Sequence, residues 1–218
     1  DELVLFEEVN FGEKQDVSIA GRITDEMGNP LNDVTVRLGS ESQASASGGI
    51  YYFRNASEFA NITKISASRP GYYSKQKTLK IEDETFRNID FVLEEIEEGS
   101  PISTSGAVID LEYGSITFGE NIFVEENGSE YTEDAILQYR NYTPEDPGFF
   151  SNVPGSLRGI DSENREVSMD SYGVVYTIIN GEDSEMLRLG DDKFYKLSFN
   201  ISAEDQAGAP QEVPLWLY

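Results

Sequence analysis

Chemistry in this chain would fall to carboxylates. Of 218 residues, 41 are Asp or Glu, and histidine and cysteine are both absent. Without histidine there is no Ser-His-Asp triad, no imidazole base and no imidazole metal ligand. Without cysteine there is no thiol nucleophile, no disulfide and no thiolate-bound zinc or iron–sulfur centre. A hard cation and a pair of acids stay open. The densest run of oxygens is Asp161-Ser162-Glu163-Asn164-Arg165-Glu166. Asp161, Glu163 and Asn164, helped by backbone carbonyls, would suit Ca²⁺. The same letters also serve as a polar hairpin loop between the apolar stretches 157–160 and 167–169. Asp191-Asp192 beside Lys193 reads as a solvated turn. Asp25 with Gly28-Asn29-Pro30 offers too few acids for a cation loop, and backbone conformation alone explains those turn residues. A glycosidase-type acid and nucleophile need a set separation in space. No spacing along the chain singles out such a pair, so the expectation is a protein without catalytic residues and, Ca²⁺ aside, without a cofactor.

Three aromatic doublets, Tyr51-Tyr52, Tyr72-Tyr73 and Phe149-Phe150, raise sugar stacking. Neighbouring side chains of a strand point to opposite faces. One ring of each doublet would enter the core while the other offers an apolar face with a wet edge. Tyr51, Tyr73 and Phe149 are the ligand-binding candidates. The plainer alternative lines a sandwich rim with tyrosines whose hydroxyls stay in water. Five Asn-x-Ser/Thr sites, at Asn55, Asn61, Asn127, Asn141 and Asn200, match the N-glycosylation pattern, although asparagine is common in β-turns for its own reasons.

The elements that must position these groups are strands. Val17, Ile19, Gly21 and Ile23 alternate with polar residues before the Gly28-Asn29-Pro30 turn, and Val34, Val36 and Leu38 do so after it. The spacing predicts two antiparallel strands joined as a hairpin, each with one buried face. Further strands are expected at 50–53, 62–67, 77–81 and 89–93. Four glutamates followed by Gly99-Ser100-Pro101 read as an acidic linker over 95–102. Beyond it, strands are expected at 106–111, 115–118, 135–139, 155–160, 174–179, 186–189, 195–201 and 213–218, with turn signals at Asn127-Gly128, Ser162-Glu163-Asn164 and Asn180-Gly181. Helical periodicity is missing throughout. The expected fold is all-β, with two β-sandwich domains at 16–94 and 103–218. The apolar run Leu3-Val4-Leu5-Phe6 makes residues 1–15 an extension or an edge strand.

The net charge of −25 is uneven. Residues 16–94 carry nine basic against eleven acidic side chains, and residues 95–218 carry six against 25. Such a field repels phosphate, which argues against nucleic acid and anionic membrane surfaces as partners and for a solvated exterior. No run of about 18 apolar residues exists to span a membrane. The chain opens on Asp1-Glu2 without a signal peptide.

The stretch GRITDEMGNPLNDVTVRL (21–38), followed by GGIYYF (48–53) and RPGYY (69–73), resembles the carboxypeptidase regulatory-like domain. That resemblance covers about 16–94 and implies a seven-stranded transthyretin-like β-sandwich. Ser45-Ala46-Ser47 departs from the Thr-Asp-x-x-Gly turn usual in the family. The zinc peptidase domain that accompanies this module in metallocarboxypeptidases needs histidine ligands, and the chain has none. Residues 114–147 and 154–179 are similar to a module of exported Bacteroidota proteins and to extracellular parts of the cartilage intermediate layer protein family. Members commonly continue past the motif seen here at Pro214-Leu215-Trp216, which implies a piece of a longer parent protein. Together the resemblances imply a non-catalytic extracellular or cell-surface module with a structural or adhesive role. Its partners would be neighbouring domains, a surface glycan or another protein. The alternative is a module that binds a polysaccharide or a Ca²⁺-bridged ligand.

Overall fold

The computed structural model describes residues 11–81, 86–146, 148–153, 157–160, 165–168, 170–201, 206 and 208–209. The chain is all-β and forms two compact units, one built on residues up to Glu95 together with 157–158, and the other on Ile96–Val153 and residues from Gly159 onward.

In the first unit β1 (Lys14–Thr24) is the centre of one sheet. It pairs antiparallel with β4 (Ile50–Phe59) and parallel with β7 (Phe86–Asn88) and β8 (Phe91–Val92). The second sheet has the order β3 (Glu41–Ala44), β2 (Thr35–Leu38), β5 (Thr63–Ser68) and β6 (Lys75–Leu79). β7 and β8 are two pieces of one edge, broken where the Ile89 amide donates to the Ala20 carbonyl. Counted together they give seven strands among the described residues of this unit. Val17, Ile19 and Ile23 of one sheet and Val36, Leu38 and Ile65 of the other share one apolar core with Tyr51, Phe53 and Phe91. Each fully buried aliphatic side chain contributes about 1.5–3 kcal/mol relative to exposure, which makes strand alternation the signal that decides this fold.

The expected hairpin at Gly28-Asn29-Pro30 holds at its turn, where Thr24 and Pro30 form an antiparallel bridge, and is corrected beyond it. β1 and β2 bury the faces read from the sequence, yet they lie in different sheets and β2 pairs with β3 and β5. Alternation reports that a face is buried. It is blind to whether the next strand lies beside that face or across the core from it. After that bridge the chain crosses to the other sheet, and among the described residues this corner occurs three times. Asp25 N–H donates to the Asn29 carbonyl, Gly28 N–H to the Asp25 carbonyl, and Leu31 N–H to the Ile23 carbonyl. The same three bonds recur at Glu125, Gly128 and Tyr131, and again at Gly181, Ser184 and Leu187. In each corner the fourth residue is left-handed (Gly28 at φ 84°, Gly128 at 89°, Ser184 at 65°), as a type I turn closed by a bulge requires.

In the second unit β10 (Ala107–Leu111), β11 (Gly114–Phe118) and β18 (Tyr195–Phe199) form one sheet. β9 (Ser100–Ile102), β13 (Ala135–Tyr142) and β16 (Val174–Asn180) form another, while β12 (Phe123–Val124) pairs with β17 (Arg188–Leu189). β14 (Arg158–Ile160) pairs with β15 (Glu166–Ser168). Ile102, Leu111, Ile116, Phe118 and Leu137 meet in the core. The corner at 125–129 leads from β12 to β13 and the one at 181–185 from β16 to β17, so here too each joins strands of different sheets.

The acidic stretch 95–102 begins where the two units divide. Its end is β9, paired with Ala135–Leu137 of β13, and Glu97 forms an ion pair with Arg140 at 2.8 Å. Glu95, Glu97 and Glu98 stay exposed, and it is Ser100–Ile102 that pairs. Phe149-Phe150 opens a single helical turn, α1 (Phe149–Asn152), and not a strand. The expected strand at 213–218 and the run Leu3–Phe6 lie outside the described residues.

Candidate functional site

Asp161, Glu163 and Asn164, the cation candidates, lie outside the described residues, between β14 and β15. Among the described residues no three acidic side chains converge as a metal site. Asp25 belongs to its turn. Its carboxylate accepts from the amides of Met27 (2.9 Å) and Asn29 (2.8 Å) and from the Asn29 side chain (2.8 Å). The Asn29 side-chain bond and these amides hold its pKa below the usual value.

Tyr51-Tyr52 and Phe149-Phe150 split into one buried and one exposed ring, whereas Tyr72 packs against the core beside buried Tyr73, and the named candidates are the buried members. Tyr51, Tyr73 and Phe149 are 2%, 3% and 2% exposed, so none offers a face to a sugar. Their partners Tyr52 and Phe150 are exposed. For Tyr51-Tyr52 the register with β1 fixes which ring enters the core. Tyr51 has a structural task. Its hydroxyl donates to the Ile89 carbonyl at 2.5 Å, at the break between β7 and β8. Burial, with a smaller contribution from Asp90, pushes its pKa well up, so it stays a neutral donor. Tyr51→Phe is expected to lower unfolding stability by about 1–2 kcal/mol in urea titration, because the Ile89 carbonyl loses its hydroxyl donor.

The arrangement that sequence reasoning missed lies on the flank where β3 and β4 are the edges of their sheets. β4 begins with simple alternation, Tyr51 and Phe53 inward. Between Val17 and Ile19 the β1–β4 register then shifts, and Asn55 takes the left-handed φ of 50°. The extra residue of such a bulge flips the face of everything after it. Ala56 and Glu58 turn inward, and Phe59 turns out to solvent beneath Lys14, whose Nζ is 5.3 Å from the ring centre. Glu58 is 7% exposed, and among the described residues no group donates a hydrogen bond to it. Its carboxylate lies over Gly39, in the turn between β2 and β3, where an added Cβ would stand 2.3 Å from both oxygens. Glu41 and Gln43 of β3 sit opposite Leu38 and Val36, so they share the inner face with those buried residues. Gln43 Nε2 is a buried donor with no acceptor. Two carboxylates and an unanswered amide thus line one open flank.

Burial, reinforced by the charge of Glu41 and opposed by Lys14, raises the pKa of Glu58. An acid whose pKa rises on folding weakens the fold when it ionises. The penalty is absent below the ordinary carboxylate range and complete above the raised pKa. Glu58→Gln is therefore expected to raise Tm by a few degrees at pH 7 and to leave it unchanged at pH 3, measured by calorimetry. A fall at pH 7 would show that the charge is satisfied in the folded state.

An all-β chain of two units is the class this geometry defines. No family model matches the chain, and no curated protein matches it. Among solved structures, the Bacillus anthracis TIE protein is similar at 10% identity and a TM-score of 0.33, over 86% of this chain and 28% of its own. A Streptococcal ancillary pilin is similar at 12% identity and 0.33, over 84% of this chain and 53% of its own. A protein of unknown function from Bacteroides fragilis is similar at 9% identity and 0.31, over 81% and 84%. The chain thus spans about a quarter of the first of these and about half of the second.

Proposed function

We propose that the chain is a non-catalytic module of a larger extracellular or cell-surface protein, in which two β-sandwich domains act as a spacer and interaction element. The observation that carries this reading is two separate apolar cores, each walled by its own sheets, in a chain with a net charge of −25. Stiff cores joined in tandem hold neighbouring modules apart, while loops and sheet edges stay available to partners. The first unit is a carboxypeptidase regulatory-like domain in this proposal. Seven strands in two sheets, with the last running parallel to the first, support it. Mild trypsin treatment of intact source cells tests the location: peptides of this chain should be released before cytosolic markers appear. Protection until lysis would overturn it.

A second reading is a binding module for a polysaccharide or a Ca²⁺-bridged ligand, with the acidic second unit as the cation-attracting part. Exposed Tyr52 on β4, beside Ala20 of β1, is the ring that supports sugar stacking. Titration calorimetry with CaCl₂ and a glycan array distinguish the two readings. Heat or array signal lost in Tyr52→Ala would favour the second, and silence in both would leave the first.

A further inference from the structure

The open flank of the first unit holds polar groups that its own core does not need. β4 is ten residues long and stands last in its sheet, with no strand on its outer side among the described residues. A free edge of that length is a template for another chain, and proteins ordinarily blunt such edges with lysine, proline, a bulge or an inward charge. β6, the outer strand of the other sheet, carries Lys75 and Lys77. β4 has neither lysine nor proline, and its bulge turns a carboxylate inward. That inward acid makes pairing conditional. In an added strand, the residue directly opposite Glu58 would point into the same interior, with its Cβ about 4.5–5.5 Å away. An apolar residue there would bury Glu58 further against nothing, whereas an ammonium group would meet Glu58 from one side and Glu41 from the other. Two residues along β3, Gln43 offers its unanswered amide to a hydroxyl or carbonyl of the same strand.

We propose that the flank bounded by β3 and β4 receives an extended, lysine-bearing segment of another polypeptide, which adds to β4 and places its ammonium group between Glu58 and Glu41. The choice of occupant rests on charge. A second copy pairing through its own β4 would present Tyr51, Phe53, Ala56 and Glu58 on the inner face, and none of these is a cation. Two carboxylates alone are a meagre shell for Ca²⁺, which takes six to eight oxygens. The proposal names the partner chemistry of the interaction module described above and rests on that reading. The surface-proteolysis test addresses location, and the binding test below addresses this flank, so each can fail without the other.

The test uses the whole chain and the capped peptide Thr-Thr-Val-Lys-Val-Thr-Thr, with its Lys→Gln counterpart as control. Calorimetry should show the lysine peptide binding about tenfold more tightly than the glutamine peptide, with that preference lost in Glu58→Gln and reduced in Glu41→Gln. Hydrogen exchange should show new protection over residues 50–59 and nowhere in the second unit. Equal binding of the two peptides, no binding by either, or protection elsewhere would overturn the proposal. A dimer of the free chain with protected β4 amides would give the flank to a second copy, and saturable CaCl₂ heat lost in Glu58→Gln would give it to a metal ion. Either result also overturns it.

Discussion

Gly21→Ala is expected to cost the first unit about 3 kcal/mol or more, since a backbone has to move to admit one methyl group. In β1 a Cβ at position 21 would stand 1.8 Å from the Ile89 carbonyl oxygen and 2.8 Å from the Tyr51 ring. The oxygen belongs to the link between β7 and β8 and is the acceptor of the Tyr51 hydroxyl. Pushing it away opens the parallel pairing to β1 and strands a buried hydroxyl at the same time. For a unit of this size the loss corresponds to a fall in Tm on the order of 12–20 °C, read by calorimetry or circular dichroism. A change of less than two degrees would mean that the close approach of Ile89 to β1 is absent in solution. Gly114→Ala is the matching change in the second unit, where the Cβ would meet the Ser198 carbonyl at 1.9 Å. Separate melting transitions, each moved by its own substitution, would show that the two units unfold independently.

The second large effect is expected at the buried ion pair. Lys75 Nζ lies 2.8 Å from Glu94 Oε1, and both side chains are nearly enclosed. Glu94→Leu removes the anion from beside the nearly enclosed Lys75 ammonium, which costs about 3–5 kcal/mol. Lys75→Met combined with Glu94→Leu should recover most of that loss, because replacing both charges by apolar side chains is often neutral. Denaturant titration of the wild type, both single variants and the double variant measures the coupling. If the double variant is as unstable as Glu94→Leu, the pair is held by something other than mutual charge.

Much of the fold was legible, and the reason is alternation. Val17, Ile19, Ile23, Val34, Val36 and Leu38 all face the core as read. The pairing was not legible, because β1 finds its partners 30 to 70 residues away, and nothing local distinguishes a hairpin from a crossing. At the candidate site the signal was weaker still. Glu58 follows five residues after the last inward aromatic, Phe53, so strict alternation places it outside. Only the left-handed Asn55 brings it in, and an asparagine in that conformation leaves no mark that separates it from an ordinary turn former. The doublets failed for a related cause. They told that one ring is buried and were silent about which.

The corner that recurs at 25–29, 125–129 and 181–185 is closed through main-chain atoms, and the Asp25 carboxylate and the Asn127 side chain add bonds of their own in the first two. The side chain of Met27, at the tip of the first, is 90% exposed. Such joints behave as sockets. A fluorophore-bearing cysteine in place of Met27 would leave the walls on either side untouched. The same indifference would let natural relatives vary the side chain at this tip while keeping their strands in step.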